Sequence, residues 1–112
     1  MITIWHNPRC SKSRQTLALI EGKGNVTIRE YLKDAPTLAE LQAAQAALGL
    51  PAIQMMRPKE AEFKDLGLSR DDDDATLLAA MAAHPKLIER PVVFANGKAA
   101  LGRPPEAVLD IL

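Results

Sequence analysis

The chain carries a single cysteine, Cys10, within the opening segment MITIWHNPRCSKSRQTL. It follows a short β-branched run and a proline-containing loop, and it stands where a helix should begin. Unpaired amide N–H groups at a helix N-terminus together carry about half a positive charge. That field favours thiolate over thiol, and cysteines so placed titrate at about 3.5–7.5 instead of about 8.5. Arg9, Lys12 and Arg14 add positive charge nearby. The thiolate is the attacking form, which makes Cys10 the candidate nucleophile. The alternative, an inert buried cysteine, fits poorly with flanks that are polar and cationic.

Cys10-Ser11-Lys12-Ser13 has C-x-x-S spacing. A second cysteine at that position could close a disulfide. Ser13 cannot, so an oxidised or derivatised Cys10 needs an external thiol. The Ser13 hydroxyl is expected either to donate to a thiolate or bound oxyanion, or to cap the helix. His6, four residues before Cys10, either orients the loop or supports the thiolate; His84 reads as structural. Arg57, Arg90 and Arg103 are each followed directly by proline. Proline restricts the preceding residue to extended geometry and so fixes where its side chain departs. A guanidinium fork suits tetrahedral oxyanions, which makes these three the candidate anion-binding set. Asp71 to Asp74 lacks the glycine turn and later glutamate of a calcium loop and reads as a solvated helix start, so no metal is expected. Met55, Met56 and Met81 read as core filler.

Elements must position these groups. Ile2 to Trp5 predicts a buried strand. A helix follows from about Cys10 or Ser11 to Glu21, with Leu17, Ile20 and Ala18 as its apolar face and Gly22 and Gly24 as its stop. Val26 to Tyr31 alternates as a second strand. Thr37 and Glu40 have capping-box spacing ahead of a helix in which Leu38, Leu41, Ala44 and Leu48 recur, closed by Gly49. Pro51 to Met56 and Lys59 to Leu66 predict two short helices, and the acidic run leads into a helix reaching about Ala83. Val92-Val93-Phe94, the turn Asn96-Gly97 and Ala99 to Leu101 form a hairpin. A last helix is expected over Glu106 to Leu112, with Val108, Leu109 and Leu112 on one side. The order β-α-β, helical block, β-β-α predicts an α/β layered domain: a mixed sheet flanked by helices. It is also the thioredoxin-type order with helices inserted at about 37–84.

With 112 residues, one domain is expected. Hydrophobic residues at 47% and charged residues at 25% suit a globular chain that folds without a disulfide or metal. Fourteen basic residues balance fourteen acidic ones, which argues against a nucleic-acid coat. One cysteine excludes a disulfide framework. No signal peptide and no 18-residue apolar run are visible, so a cytoplasmic protein without membrane contact is expected.

Five segments in order, ITIWHNPRCSKSRQTL, EYLKDAPTLAEL, MMRPKEAEFKDLGL, HPKLIERPVVF and GRPPEAVLDIL, resemble the glutaredoxin-dependent arsenate reductase family, which has a thioredoxin-like fold. The resemblance runs from Ile2 to Leu112. It implies that Cys10 is the nucleophile, that His6 supports it, and that Arg57, Arg90 and Arg103 hold the arsenic oxyanion. Ser13 falls where the family also has a hydroxyl residue, and Pro91 where thioredoxin-like proteins usually carry a cis-proline. The implied reaction reduces arsenate to arsenite, for arsenic detoxification. Glutathione serves as co-substrate, glutaredoxin as the resolving partner, and no cofactor is bound. A monomer is expected. Two other readings stand beside it. One is a glutathione-dependent thiol reductase of the same fold with another substrate. The other is a non-enzymatic Spx-like regulator that binds RNA polymerase; Ser13 in place of a second cysteine argues against it.

Overall fold

Strand β1 (Ile2–His6) is the hub of a four-stranded sheet in the order β2-β1-β3-β4, as seen in a computed structural model describing residues 1–112. It runs parallel to β2 (Val26–Glu30), from Ile2 opposite Val26 to His6 opposite Glu30. It runs antiparallel to β3 (Val92–Ala95), which turns through Asn96-Gly97 into the antiparallel β4 (Lys98–Leu101). Both turn residues have positive φ, 54° and 72°, as a two-residue hairpin turn whose twist matches its strands requires. Helix α1 (Ser11–Glu21) connects the parallel pair. The architecture is the α/β mixed sheet with flanking helices of thioredoxin-like proteins.

The chain divides into two compact units, one of residues 1–34 and 90–112 and one of residues 35–89. In the first, Ile2 and Ile4 pack with Ile20, Val93, Ala95 and Val108, and Leu17, Val26, Ala100 and Ile111 close the margin. The alternate side chains of β1 serve the other face, where Trp5 meets Phe94 at 4.9 Å between ring centroids.

Three expectations need correction here. The buried stripe of α1 is Ser13, Thr16 and Ile20, with Ala18 exposed; the Thr16 hydroxyl donates back to the Lys12 carbonyl and the Ser13 hydroxyl finds its partners in His6 and Asn7. Strand β2 ends at Glu30, because the Lys33 and Asp34 amides both turn back onto the Glu30 carbonyl. It is an edge strand, so Ile28 is 50% exposed despite the alternation. The final segment, Pro105–Ile111, is a 3₁₀-helix and not an α-helix. With three residues per turn, positions 105, 108 and 111 align. Pro105 and Val108 are therefore buried and Ile111 joins the core margin, whereas Leu109 and Leu112 lie outside.

The second unit holds α2 (Leu38–Leu48), α3 (Ala61–Asp65) and α4 (Asp74–Ala83), with 3₁₀ turns at Ala52–Met55 and Pro85–Leu87. The capping box is formed: Glu40 N–H donates to Thr37 Oγ1 at 3.1 Å and Thr37 N–H to Glu40 Oε1 at 2.9 Å. Leu41 and Ala44 are buried but Leu38 is exposed, so the stripe is narrower than its spacing suggests. Asp73 caps α4 by accepting the Thr76 amide, and the Asp74 carboxylate accepts from Gln45 Nε2 and the Ala52 amide. Met55, Met56 and Met81 are buried, and His84 Nδ1 lies 3.4 Å from Glu62. No helix is long and apolar enough to cross a membrane.

Candidate active site

The site is built where β1 runs into α1. His6 ends the strand, and the loop Asn7-Pro8-Arg9 is drawn into a tight turn. The Asn7 side-chain oxygen accepts the Arg9 amide at 3.0 Å, and the Asn7 carbonyl accepts the Cys10 amide at 3.0 Å. Asparagine does this because its side chain imitates a backbone carbonyl. Cys10 becomes the N-cap of α1 with extended backbone, φ −97° and ψ 124°. An N-cap usually brings an oxygen to the free amides of the first turn. Cys10 makes no side-chain cap hydrogen bond; the Lys12 and Ser13 amides instead lie near enough to its sulfur to favour the thiolate.

Burial pushes the Cys10 thiol up. The Ser13 amide, the positive charge of Arg90, the Lys12 amide and a hydrogen bond from the Arg90 side chain all pull the other way. Together they outweigh burial, and the thiol is held below its ordinary value. The cation beside the sulfur is therefore Arg90, from the segment before β3. Arg14, expected to assist Cys10, spends a guanidinium N–H on the Pro8 carbonyl at 3.0 Å.

The Ser13 hydroxyl and His6 face each other, and of the two roles expected for His6 the geometry favours orienting the loop. The Ser13 hydroxyl neither caps the helix nor is shown on the sulfur: it is fully buried, lies 2.7 Å from His6 Nδ1 and accepts the Asn7 amide at 3.0 Å. It is the Ser13 amide that serves Cys10. Burial pushes His6 below its ordinary value, with Glu30 opposing and Arg14 reinforcing. A neutral imidazole with Nδ1 as acceptor takes the hydroxyl proton, leaving the serine oxygen free to accept from Asn7. His6 thus braces the loop through Ser13. It also lines, with Asn7, Pro8, Arg9, Glu30, Leu32 and Lys33, an open cavity of about 250 Å³ beside the loop.

The three arginines are placed differently. Arg90 reaches Cys10. Arg103 is exposed and donates from Nε to the Arg90 carbonyl at 3.1 Å. Both are joined to their prolines by cis peptide bonds, Arg90-Pro91 and Arg103-Pro104. Arg57 belongs to the second unit, where its Nη1 pairs with Glu60 at 2.8 Å and its amide donates to the Leu87 carbonyl. One contributor was not singled out from sequence. Asn7 was legible in principle, since Asn-Pro is a turn signal.

Residues 5–111 match the ArsC family. The chain belongs to the ArsC family. An arsenate reductase of Neisseria meningitidis is 48% identical, covering 99% of this chain and 97% of its own. One from Haemophilus influenzae is also 48% identical, covering 99% and 98%. A solved structure described as an arsenate reductase from Vibrio cholerae is 51% identical, with a TM-score of 0.94 over 99% of this chain and 97% of that one.

Proposed function

We propose that this protein reduces arsenate to arsenite through Cys10, with glutathione as co-substrate and glutaredoxin as the resolving partner. The observation that carries this reading is the Cys10 sulfur at the head of α1, met by two backbone amides and the Arg90 guanidinium and held toward thiolate. The relatives named arsenate reductases support the substrate.

The chemistry follows from a chain with one thiol. Cys10 thiolate attacks arsenic(V) and displaces one oxygen as water, while arginine charge offsets that of the oxyanion. Glutathione adds to the adduct and supplies its electron pair. The electrons of the sulfur–arsenic bond pass to arsenic, which leaves as arsenite, and a Cys10–glutathione disulfide remains. Glutaredoxin takes the glutathionyl group and returns the Cys10 thiolate. Arg90 and Arg103 are the oxyanion contacts in this reading, joined by Arg57 through the family resemblance. The working protein is a monomer.

The decisive experiment is a coupled assay with arsenate, glutathione and glutaredoxin, on wild type and Cys10→Ser. Sustained arsenite formation that requires Cys10 and both thiol components is the expected result. Turnover without added thiol refutes the resolving scheme, and no turnover with all components refutes the substrate.

One observation favours a second reading, a glutathione-dependent thiol reductase with another substrate. Arg57 is engaged by Glu60 and Arg103 by the Arg90 carbonyl, so a single guanidinium is seen on the sulfur. Protection of Cys10 from alkylation by arsenate decides between the two.

A further inference from the structure

Gly102 occupies a gap with no room for a side chain. A Cβ built there would lie 2.5 Å from Thr16 Oγ1, 2.6 Å from Pro91 Cγ and 2.9 Å from Pro91 Cδ. Favourable carbon contacts lie at about 3.5–4.0 Å, so something would have to move. The need is for space and not for backbone freedom, since Gly102 is not among the residues of positive φ. It is exceptional in this: at Gly22, Gly49, Gly67 and Gly97 a Cβ would meet nothing within 4 Å.

The groups that close on Gly102 come from two different segments, the one before β3 and helix α1. Beyond the last β3–β4 pair, Val92 opposite Leu101, the Gly102 amide donates to the Pro91 carbonyl at 2.9 Å. One step further, Arg103 Nε donates to the Arg90 carbonyl. The segment Arg90-Pro91 is thereby laid along Gly102-Arg103 in continuation of the ladder. From the other side comes Thr16 of α1, fully buried, whose hydroxyl donates to the Lys12 carbonyl at 2.8 Å. Lys12 in turn carries one of the first-turn amides that favour the Cys10 thiolate.

We propose that Gly102 is a positioning residue for the reacting thiol: its missing side chain lets Pro91 and Thr16 close to contact, which sets the Arg90 guanidinium against Cys10 at the head of α1. A methyl group at this point pushes Arg90-Pro91 away from the helix, and the guanidinium–sulfur contact is the first to lengthen. Gly102 touches neither the sulfur nor any substrate; it acts through Arg90.

The inference rests on Cys10 being the reacting thiol but not on arsenate. It is therefore tested by the pH profile of Cys10 alkylation with iodoacetamide, in the absence of any oxyanion. Gly102→Ala should raise the midpoint toward the unperturbed value of about 8.5, and alkylation at pH 6 should slow by about tenfold for each unit of rise. Gly22→Ala, at the open end of the same helix, should leave the midpoint in place. In an Arg90→Ala background, Gly102→Ala should add no further shift, because both changes remove one contact. Gly102→Ala/Thr16→Ala relieves the clash with the helix alone, so urea stability should partly recover while the midpoint stays raised. Should Gly102→Ala not fold, this double variant carries the same test. A folded Gly102→Ala with the wild-type midpoint overturns the proposal. So does an equal shift in Gly22→Ala, an additive shift on Arg90→Ala, a midpoint that recovers together with stability, or failure of both Gly102 variants to fold.

Discussion

Replacing Ser13 with alanine separates two contributions made by one residue. Its hydroxyl is fully buried between His6 Nδ1 at 2.7 Å and the Asn7 amide at 3.0 Å, whereas its own amide serves the Cys10 sulfur. Alanine removes the oxygen and keeps the amide. His6 is only 6% exposed, so water does not readily replace the lost partner of Nδ1. The Asn7 amide lies in a half-buried loop and recovers part of its loss from solvent. One buried group left unsatisfied costs about 1–3 kcal/mol. At about 4–8 °C per kcal/mol for a small domain, the melting temperature should fall by about 4–24 °C. The alkylation midpoint of Cys10 should move by less than about half a unit, or about 0.7 kcal/mol, because the amide donor remains. Thermal unfolding by circular dichroism and the pH profile of iodoacetamide reaction measure the two effects on the same sample. A folded variant with wild-type melting and a midpoint raised by a full unit would reverse the assignment, making the hydroxyl the thiolate's partner and the buried contact to His6 dispensable.

Further outcomes follow from the same structure. The folded value of His6 is depressed, so below the unfolded value of about 6.5 the unfolded chain takes up a proton that the native state resists. The His6 contribution to stability is therefore complete above that value and declines as pH falls toward the folded one. His6→Gln should flatten the loss in urea midpoint between pH 7 and pH 5, and an unchanged slope contradicts the assignment. Thr37→Ala breaks the capping box of α2 and should cost about 1 kcal/mol, read as a lower urea midpoint with Cys10 reactivity unchanged. In the arsenate assay, Arg90→Ala, Arg103→Ala and Arg57→Ala should each lower kcat/KM by roughly ten- to a hundredfold if each makes one charge-assisted contact. Lysine at these positions should recover part of the loss. Arg90→Ala alone should also raise the Cys10 alkylation midpoint, and three folded alanine variants of wild-type efficiency would place the oxyanion elsewhere.

Much of the fold was legible because its signals are local. The β-branched run before Asn7-Pro8, the Thr37–Glu40 spacing and Asn96-Gly97 each act through neighbours a few residues away, and each formed as expected. Cys10 was legible for the same reason: a helix start generates its field within one turn, whatever packs beyond it. Periodicity misled where the environment set the outcome. Ile28 alternates like a buried residue, but it lies on an edge strand. Leu109 and Leu112 line up with Val108 on an α-helix but not on the 3₁₀-helix that formed.

Which partners the site residues would take could not be read from their spacing. Ser13 was visible as a hydroxyl beside a thiol, yet whether that hydroxyl turns to sulfur or histidine depends on how the end of β1 meets α1. Arg90 was visible as an anion binder, and only the antiparallel return of β3 beside β1 brings it to Cys10, eighty positions earlier. Gly102 carried no sequence signal beyond its lack of a side chain. The atoms that make that lack necessary, on Thr16 and Pro91, are distant in sequence and meet only after the sheet and α1 have packed. Short-range backbone preferences determined the elements and the placing of Cys10 at a helix start; long-range packing decided which charge, which amide and which empty space surround it.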